Sequence, residues 1–116
     1  MSEQLGRFEE LILLALMRLG PDAYGVELRR EIETRTRRDV STGALYTALK
    51  RLENRGLVSS HVGQPTPERG GRRKRHYQLE ASGIVALRDA HDDYQSMTEG
   101  LDRAIARAAA RVEESS

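Results

Sequence analysis

The chain has 116 residues, 38% of them hydrophobic and 32% charged, which suits one small domain, or such a domain with an appended helix. It has no cysteine, which excludes disulfides and thiolate metal sites, and no secretory signal is visible at its N-terminus. The longest apolar run, Leu11 to Met17, is far shorter than the ~18 residues of a membrane span, so a soluble cytoplasmic protein without a membrane partner is expected.

The net charge of +1 conceals a division along the chain. Residues 1–28 carry −3 and residues 80–116 carry −4, whereas residues 29–79 hold thirteen basic and five acidic side chains, a net +8. A basic middle between acidic ends is the electrostatic footprint of a surface for a polyanion. The alternative is an ordinary solvated charged surface.

Leu5, Phe8, Ile12, Ala15 and Leu19 recur at helical spacing, and Leu11 and Leu16 widen the stripe. Leu13, Leu14 and Met17 make this first helix apolar nearly all round, until Gly20-Pro21 stops it. A surface helix of a small domain ordinarily keeps one polar face. The first helix is therefore expected to bury two sides, one of them against another chain; the alternative is a central helix within a single chain.

A second helix is predicted from about Ala23 to Thr36, with Asp22 as N-cap and Leu28 and Ile32 facing inward. The polar stretch from Thr36 to Val40 reads as a turn. Ser41 then caps a third helix, through about Arg55, whose apolar face is Leu45, Ala48, Leu49 and Leu52 and which Gly56 ends. Leu57–Val62 and Lys74–Leu79 read as two short strands of a hairpin. The glycine- and proline-containing segment between them is longer than the usual two to five residues of a hairpin loop, and is expected to project as a flexible flap.

From about Ala81 to Glu114 the pattern predicts one long helix. Ile84, Leu87, His91, Tyr94, Thr98, Leu101, Ile105, Ala108 and Val112 alternate at spacings of three and four, a heptad seam. Some thirty residues at ~1.5 Å each make a rod of roughly 45 Å, which calls for a partner helix as cover. Gly100 interrupts it at a cost of ~1 kcal/mol relative to alanine and permits a bend. The expected dimer interface comprises Leu5, Phe8 and Ile12 from the first helix, with Ile84, Leu87, His91, Tyr94, Thr98, Leu101, Ile105 and Ala108 from the last. His91 and Thr98 would set the register.

The predicted class is mainly α with a small β-hairpin: a winged helix-turn-helix over residues 1–80 and a C-terminal dimerisation helix over 81–116. In a helix-turn-helix the second helix of the pair enters the major groove of DNA. With Leu45, Leu49 and Leu52 inward, the opposite face of the third helix carries Gly43, Thr47, Lys50 and Asn54, flanked by Thr42, Tyr46 and Arg51. Small and hydroxylated residues near its start permit close approach and hydrogen bonding to bases and phosphates, and the free N–H groups there suit an anion. Tyr46 would touch DNA or pack on the second helix. Arg69, Arg72, Arg73, Lys74 and Arg75 crowd into the flap beside Gly70 and Gly71, as in a wing that follows a phosphate rail or enters a minor groove.

Catalysis finds no footing: there is no cysteine nucleophile, no Ser-His-Asp set and no glycine phosphate loop followed by lysine. His61, His76 and His91 lie far apart in sequence, and Asp89, Asp92 and Asp93 point several ways round the helix from His91. Neither a metal nor a cofactor is expected.

The segments FEELILLALMRLGPDAYGVELRREI, VSTGALYTALKRLENRGLV, ERGGRRKRHYQL and ASGIVAL resemble the PadR family of transcription regulators over roughly residues 5 to 90. The block from Ser41 to Val58 and the Ala23-Tyr24-Gly25 triplet are the most specific matches. The resemblance implies a homodimer held by its first and last helices, repression of transcription, and release from DNA by a small-molecule effector. By the same resemblance Tyr24 would touch phosphate, Ser41, Thr42, Gly43, Tyr46 and Thr47 would lie in the groove, and Lys50 would reach phosphate. Glu80-Ala81 stands where the family often has threonine and proline, so the cap of the last helix departs from the pattern. An effector would bind between subunits near His91 and Tyr94, and the DNA site would be an inverted repeat. The rival reading is a winged-helix module whose basic surface meets an acidic protein.

Overall fold

The computed structural model describes residues 4–63 and 74–116. The flap arginines Arg69, Arg72 and Arg73 lie outside the described residues, as does most of the expected flap.

Helix α1 (Arg7–Leu19) starts at Gly6, whose N–H donates to Glu9 Oε1 at 2.7 Å, and stops at Gly20, where φ is 82°. Strand β1 (Ala23–Tyr24) follows, then helix α2 (Gly25–Thr36), helix α3 (Thr42–Asn54), strands β2 (Val58–Val62) and β3 (Arg75–Leu79), and helices α4 (Ala81–Thr98) and α5 (Asp102–Ser115). The three strands form one antiparallel sheet in the order β1-β3-β2. The hairpin read from sequence is therefore joined by a third, two-residue strand.

That strand corrects the predicted start of the second helix. Asp22 takes a left-handed conformation, φ 64°, which turns the chain so that Ala23 pairs with Tyr77 and Tyr24 with His76. Tyr24, not Asp22, is the N-cap of α2, and its N–H donates to Glu27 Oε1 at 2.8 Å. Glutamate three residues into the helix thus satisfies a donor that would otherwise be orphaned.

Ile12, Leu13, Leu28, Leu45, Leu49 and Leu52 are fully buried where α1, α2 and α3 meet, and each contributes about 1.5–3 kcal/mol by leaving water. Burying this side of α3 fixes which side faces solvent. Val58, Tyr77 and Leu87 extend the core under the sheet and α4. Ile12, expected in a subunit interface, lies wholly inside the protomer, and Leu87 is only 6% exposed. The outer face of α1 is instead Leu14 and Met17, 41% and 56% exposed. The stripe through Ile12 and the stripe through Leu14 are both apolar, so periodicity alone does not say which one turns inward.

The last helix is two helices. Gly100 adopts φ 77° and the Leu101 N–H donates to Thr98 O at 2.9 Å. The Thr98 hydroxyl turns back to Tyr94 O at 2.9 Å, which loosens the final turn of α4. The expected rod of roughly 45 Å is replaced by segments of about 27 Å and 21 Å. α4 begins at Glu80, which has no side-chain cap bond. Its start is anchored by neighbours: the Glu80 N–H donates to Leu57 O at 3.0 Å, and the Ser82 hydroxyl to Gly56 O at 2.6 Å. A Cβ at Gly83 would collide with the Leu57 carbonyl, so glycine there lets α4 seat directly against the end of the α3–β2 turn. No described helix is long and apolar enough to cross a membrane.

Candidate nucleic-acid interface

The exposed side of α3 is built from its cap upward. Ser41 Oγ accepts from the Ala44 N–H at 3.1 Å, so this residue's first role is to hold the helix start. Thr42, Gly43, Tyr46, Thr47, Lys50, Arg51 and Asn54 all face solvent along one side of the helix, opposite the buried leucines. Among the described residues, no heavy atom beyond the helix's own backbone and the chain neighbours lies within 4 Å of where a Cβ at Gly43 would stand. Glycine is therefore not needed there for internal packing, although it weakens a helix by ~1 kcal/mol relative to alanine.

Thr42 is tied to α2. Arg29 donates to Thr42 Oγ1 at 3.1 Å, and its Nε lies 3.6 Å from Glu33 Oε2, which also accepts the Val40 N–H at 2.9 Å. Arg29 and Glu33 thereby brace the turn that sets α3 against α2. The sequence reading missed this pair, because the link joins residues thirteen positions apart through a turn of unspecified geometry. The Thr42 hydroxyl keeps its own proton available to an outside acceptor.

Tyr46 both packs and remains accessible. It is 43% exposed, its hydroxyl lies where a Cβ at Gly25 would stand, and its ring centroid is 6.5 Å from that of Tyr77. The Ala-Tyr-Gly triplet is thus matched to α3: glycine at the start of α2 makes room for tyrosine from the next helix. Burial pushes the Tyr77 phenol above its ordinary pKa, an effect to which Tyr46 and Glu53 add and which Arg75 opposes.

The root of the hairpin carries two more of the expected cations, Lys74 and Arg75. Lys74 Nζ sits 4.7 Å from the centroid of the Tyr24 ring, which lies 4.5 Å from the His76 ring. Arg75 donates to Ser60 Oγ at 2.8 Å, and Ser60 in turn donates to Glu53 Oε2 at 2.9 Å. Tyr24 and Lys74 therefore meet beside β1, Arg75 reaches the other way toward β2 and Glu53 of α3, and Ser41 to Arg51 form the α3 face. Also unread from sequence was the meeting of His61 and His76, paired across β2 and β3 with rings 5.0 Å apart. A register count from the hairpin would have found it.

The residues expected at a subunit interface divide differently. Ile84, Tyr94, Leu101 and Ile105 are exposed and apolar, and Val85, Met97 and Val112 join them. His91 and Ala108 are exposed, Thr98 is half-buried, and Leu5 and Phe8 pack against the protomer's own core. The Arg7 guanidinium lies 4.7 Å from the centroid of the Tyr94 ring. A shallow polar depression at the α4–α5 break is lined by Asp92, Gln95, Ser96, Thr98, Glu99, Gly100 and Asp102; neither His91 nor Tyr94 lines it.

The sequence profile of the transcriptional regulator PadR-like family matches residues 13–89. No curated protein matches the chain. Among solved structures, it is similar to a PadR family transcription regulator from hypervirulent Clostridium difficile (TM-score 0.70, 24% identity, covering 86% of this chain and 99% of that one). It is also similar to a PadR-like transcription factor from Bacteroides fragilis (TM-score 0.68, 25% identity, 84% and 88% covered). A winged-helix DNA-binding protein from STIV shares the fold (TM-score 0.67, 19% identity, 84% and 98% covered). Three helices with a small antiparallel sheet, a capped third helix with a polar outer face, and a profile match over two-thirds of the chain lead to one conclusion: this protein belongs to the PadR-like family of transcriptional regulators, a winged-helix family and not a family of enzymes.

Proposed function

We propose that the chain is a homodimeric repressor that reads duplex DNA with α3. The observation that carries this reading is the outer face of α3, where Gly43 leaves open space between Thr42 and Thr47 that no internal contact requires. A base edge or phosphate approaching the helix start would meet hydroxyls, free backbone N–H groups and Lys50. Residues 1–80 would form the DNA-binding unit, with Tyr24, Lys74 and Arg75 on backbone phosphate and Arg69, Arg72 and Arg73 reaching further along it.

Residues 81–116 would form the dimerisation unit. Leu14 and Met17 of α1, and Ile84, Val85, Tyr94, Met97, Leu101, Ile105 and Val112 beyond them, are exposed on one protomer, and a second copy would cover them. A two-fold dimer presents its reading helices symmetrically, so the operator would be an inverted repeat with half-sites about one helical turn, or a multiple, apart. A small effector would bind between the subunits near His91 and Tyr94 and change that spacing. Such a regulator acts in the cytoplasm, where its operator is. Selection of bound genomic fragments tests the reading: an enriched inverted repeat that the protein protects and silences in an in-vitro transcription assay supports it, and enrichment of no motif contradicts it.

A further inference from the structure

We propose that Asp22, His61 and His76 form a binding site for a divalent transition-metal ion of the zinc type, at the root of the β2–β3 hairpin. The two histidines face each other across the ladder, His61 on β2 and His76 on β3, with rings 5° from parallel. Asp22 enters from the turn between α1 and β1. Its carboxylate Oδ1 is 3.5 Å from His61 Nε2, and its backbone carbonyl is 3.2 Å from His76 Nδ1. One ligand atom from each of the three residues lies within 4.8 Å of the others.

Two details make this a ligand set and not merely an exposed ion pair. First, His76 Nδ1 donating to the Asp22 carbonyl fixes the neutral tautomer with its lone pair on Nε2. That is how metal-binding imidazoles are commonly held: one nitrogen to a carbonyl, the other to the ion. Second, Gly63 sits beside that nitrogen, and a Cβ there would stand 2.5 Å from His76 Nε2. Any other residue at 63 would press its side chain onto that nitrogen.

Ligands at ~2.0–2.1 Å from zinc in tetrahedral geometry stand roughly 3.3 Å apart, so the set must close by about 1.5 Å. His61 and Asp22 have side chains more than half exposed, and rotation about their side-chain bonds supplies that movement without disturbing the core. Two imidazoles and a carboxylate suit zinc, nickel, cobalt or copper, and water would complete the shell; calcium and magnesium prefer all-oxygen shells. Lys74, next to His76 but one in the chain, has its ammonium on the Tyr24 ring, 4.7 Å from the centroid. A bound ion would tie the α1–β1 turn to the hairpin root.

The test uses the full chain freed of metal with chelator and titrated with zinc chloride, followed by calorimetry and by imidazole 1H–15N spectra. One ion per chain is expected, with the His61 and His76 ring signals shifting together. His61→Ala or His76→Ala should lower affinity by about 100-fold or more and Asp22→Asn by about tenfold, while His91→Ala leaves it unchanged. The wild-type spectra decide the matter even if a variant folds poorly. No binding at millimolar zinc, shifts confined to His91, or wild-type affinity in His61→Ala would overturn the proposal.

Discussion

The Tyr46 hydroxyl occupies the space that a side chain at Gly25 would need. This one relationship sets the spacing of α2 and α3, because the start of α2 and the second turn of α3 cannot both carry bulk. Gly25→Ala is expected to destabilise the fold by about 1–3 kcal/mol, the usual cost of overpacking. In a Tyr46→Ala background the same change should cost little, since the colliding ring is gone. Urea unfolding of the four-member double-mutant cycle measures this coupling, and additive effects would mean that the two residues do not share that space.

Gly43 is expected to behave in the opposite way. Its surroundings are open, so Gly43→Ala should raise stability by up to ~1 kcal/mol through helix propensity. The added methyl should nevertheless reduce affinity for the operator, because it fills the gap through which DNA is proposed to approach. Thermal melting and binding isotherms on the same sample read both effects. A variant that is more stable and binds equally well would remove Gly43 from the contact surface.

The exposed apolar residues of α4 and α5 should make association sensitive to charge. Ile105 is 55% exposed and Met97 is 77% exposed. Ile105→Glu or Met97→Glu would place a carboxylate on the face proposed to pair with a second copy, and should raise the dimer dissociation constant by tenfold or more. Deleting residues 96–116 should weaken association further. Sedimentation velocity over a concentration series provides the measurement, and a tight dimer from the truncated chain would contradict this use of the face.

The leucine stripe of α3, the Ser41 cap, the polar turn and both hairpin strands were legible in the sequence, because each follows from local periodicity or local capping chemistry. Three features were not. Ile12 and Leu14 lie on different faces of an all-round apolar helix, so packing against α2 and α3 decides which is buried. Asp22 looked like a helix cap, but a left-handed turn and pairing to β3 moved the helix start to Gly25. Leu101 continues the heptad spacing, yet the positive φ of Gly100 divides the helix; a spacing pattern carries no information about a backbone angle. The solvent-facing placement of Thr42, Gly43, Tyr46, Thr47 and Lys50 on α3 was legible from wheel geometry. The Arg29–Thr42 link and the His61–His76 pair needed a tertiary register.

The most direct test of the central claim, that α3 reads bases while the basic arm contributes charge, is a set of binding isotherms at several salt concentrations, on operator and scrambled duplexes. Thr47→Ala removes a candidate base-reading hydroxyl and should cost ~1–3 kcal/mol on the operator, with little loss on scrambled DNA. Arg73→Ala removes a proposed phosphate contact, so it should weaken both duplexes about equally and lower the salt slope by roughly one unit. Equal losses on both duplexes from Thr47→Ala would contradict the division of labour, and binding without salt dependence in the wild-type protein would contradict DNA recognition itself.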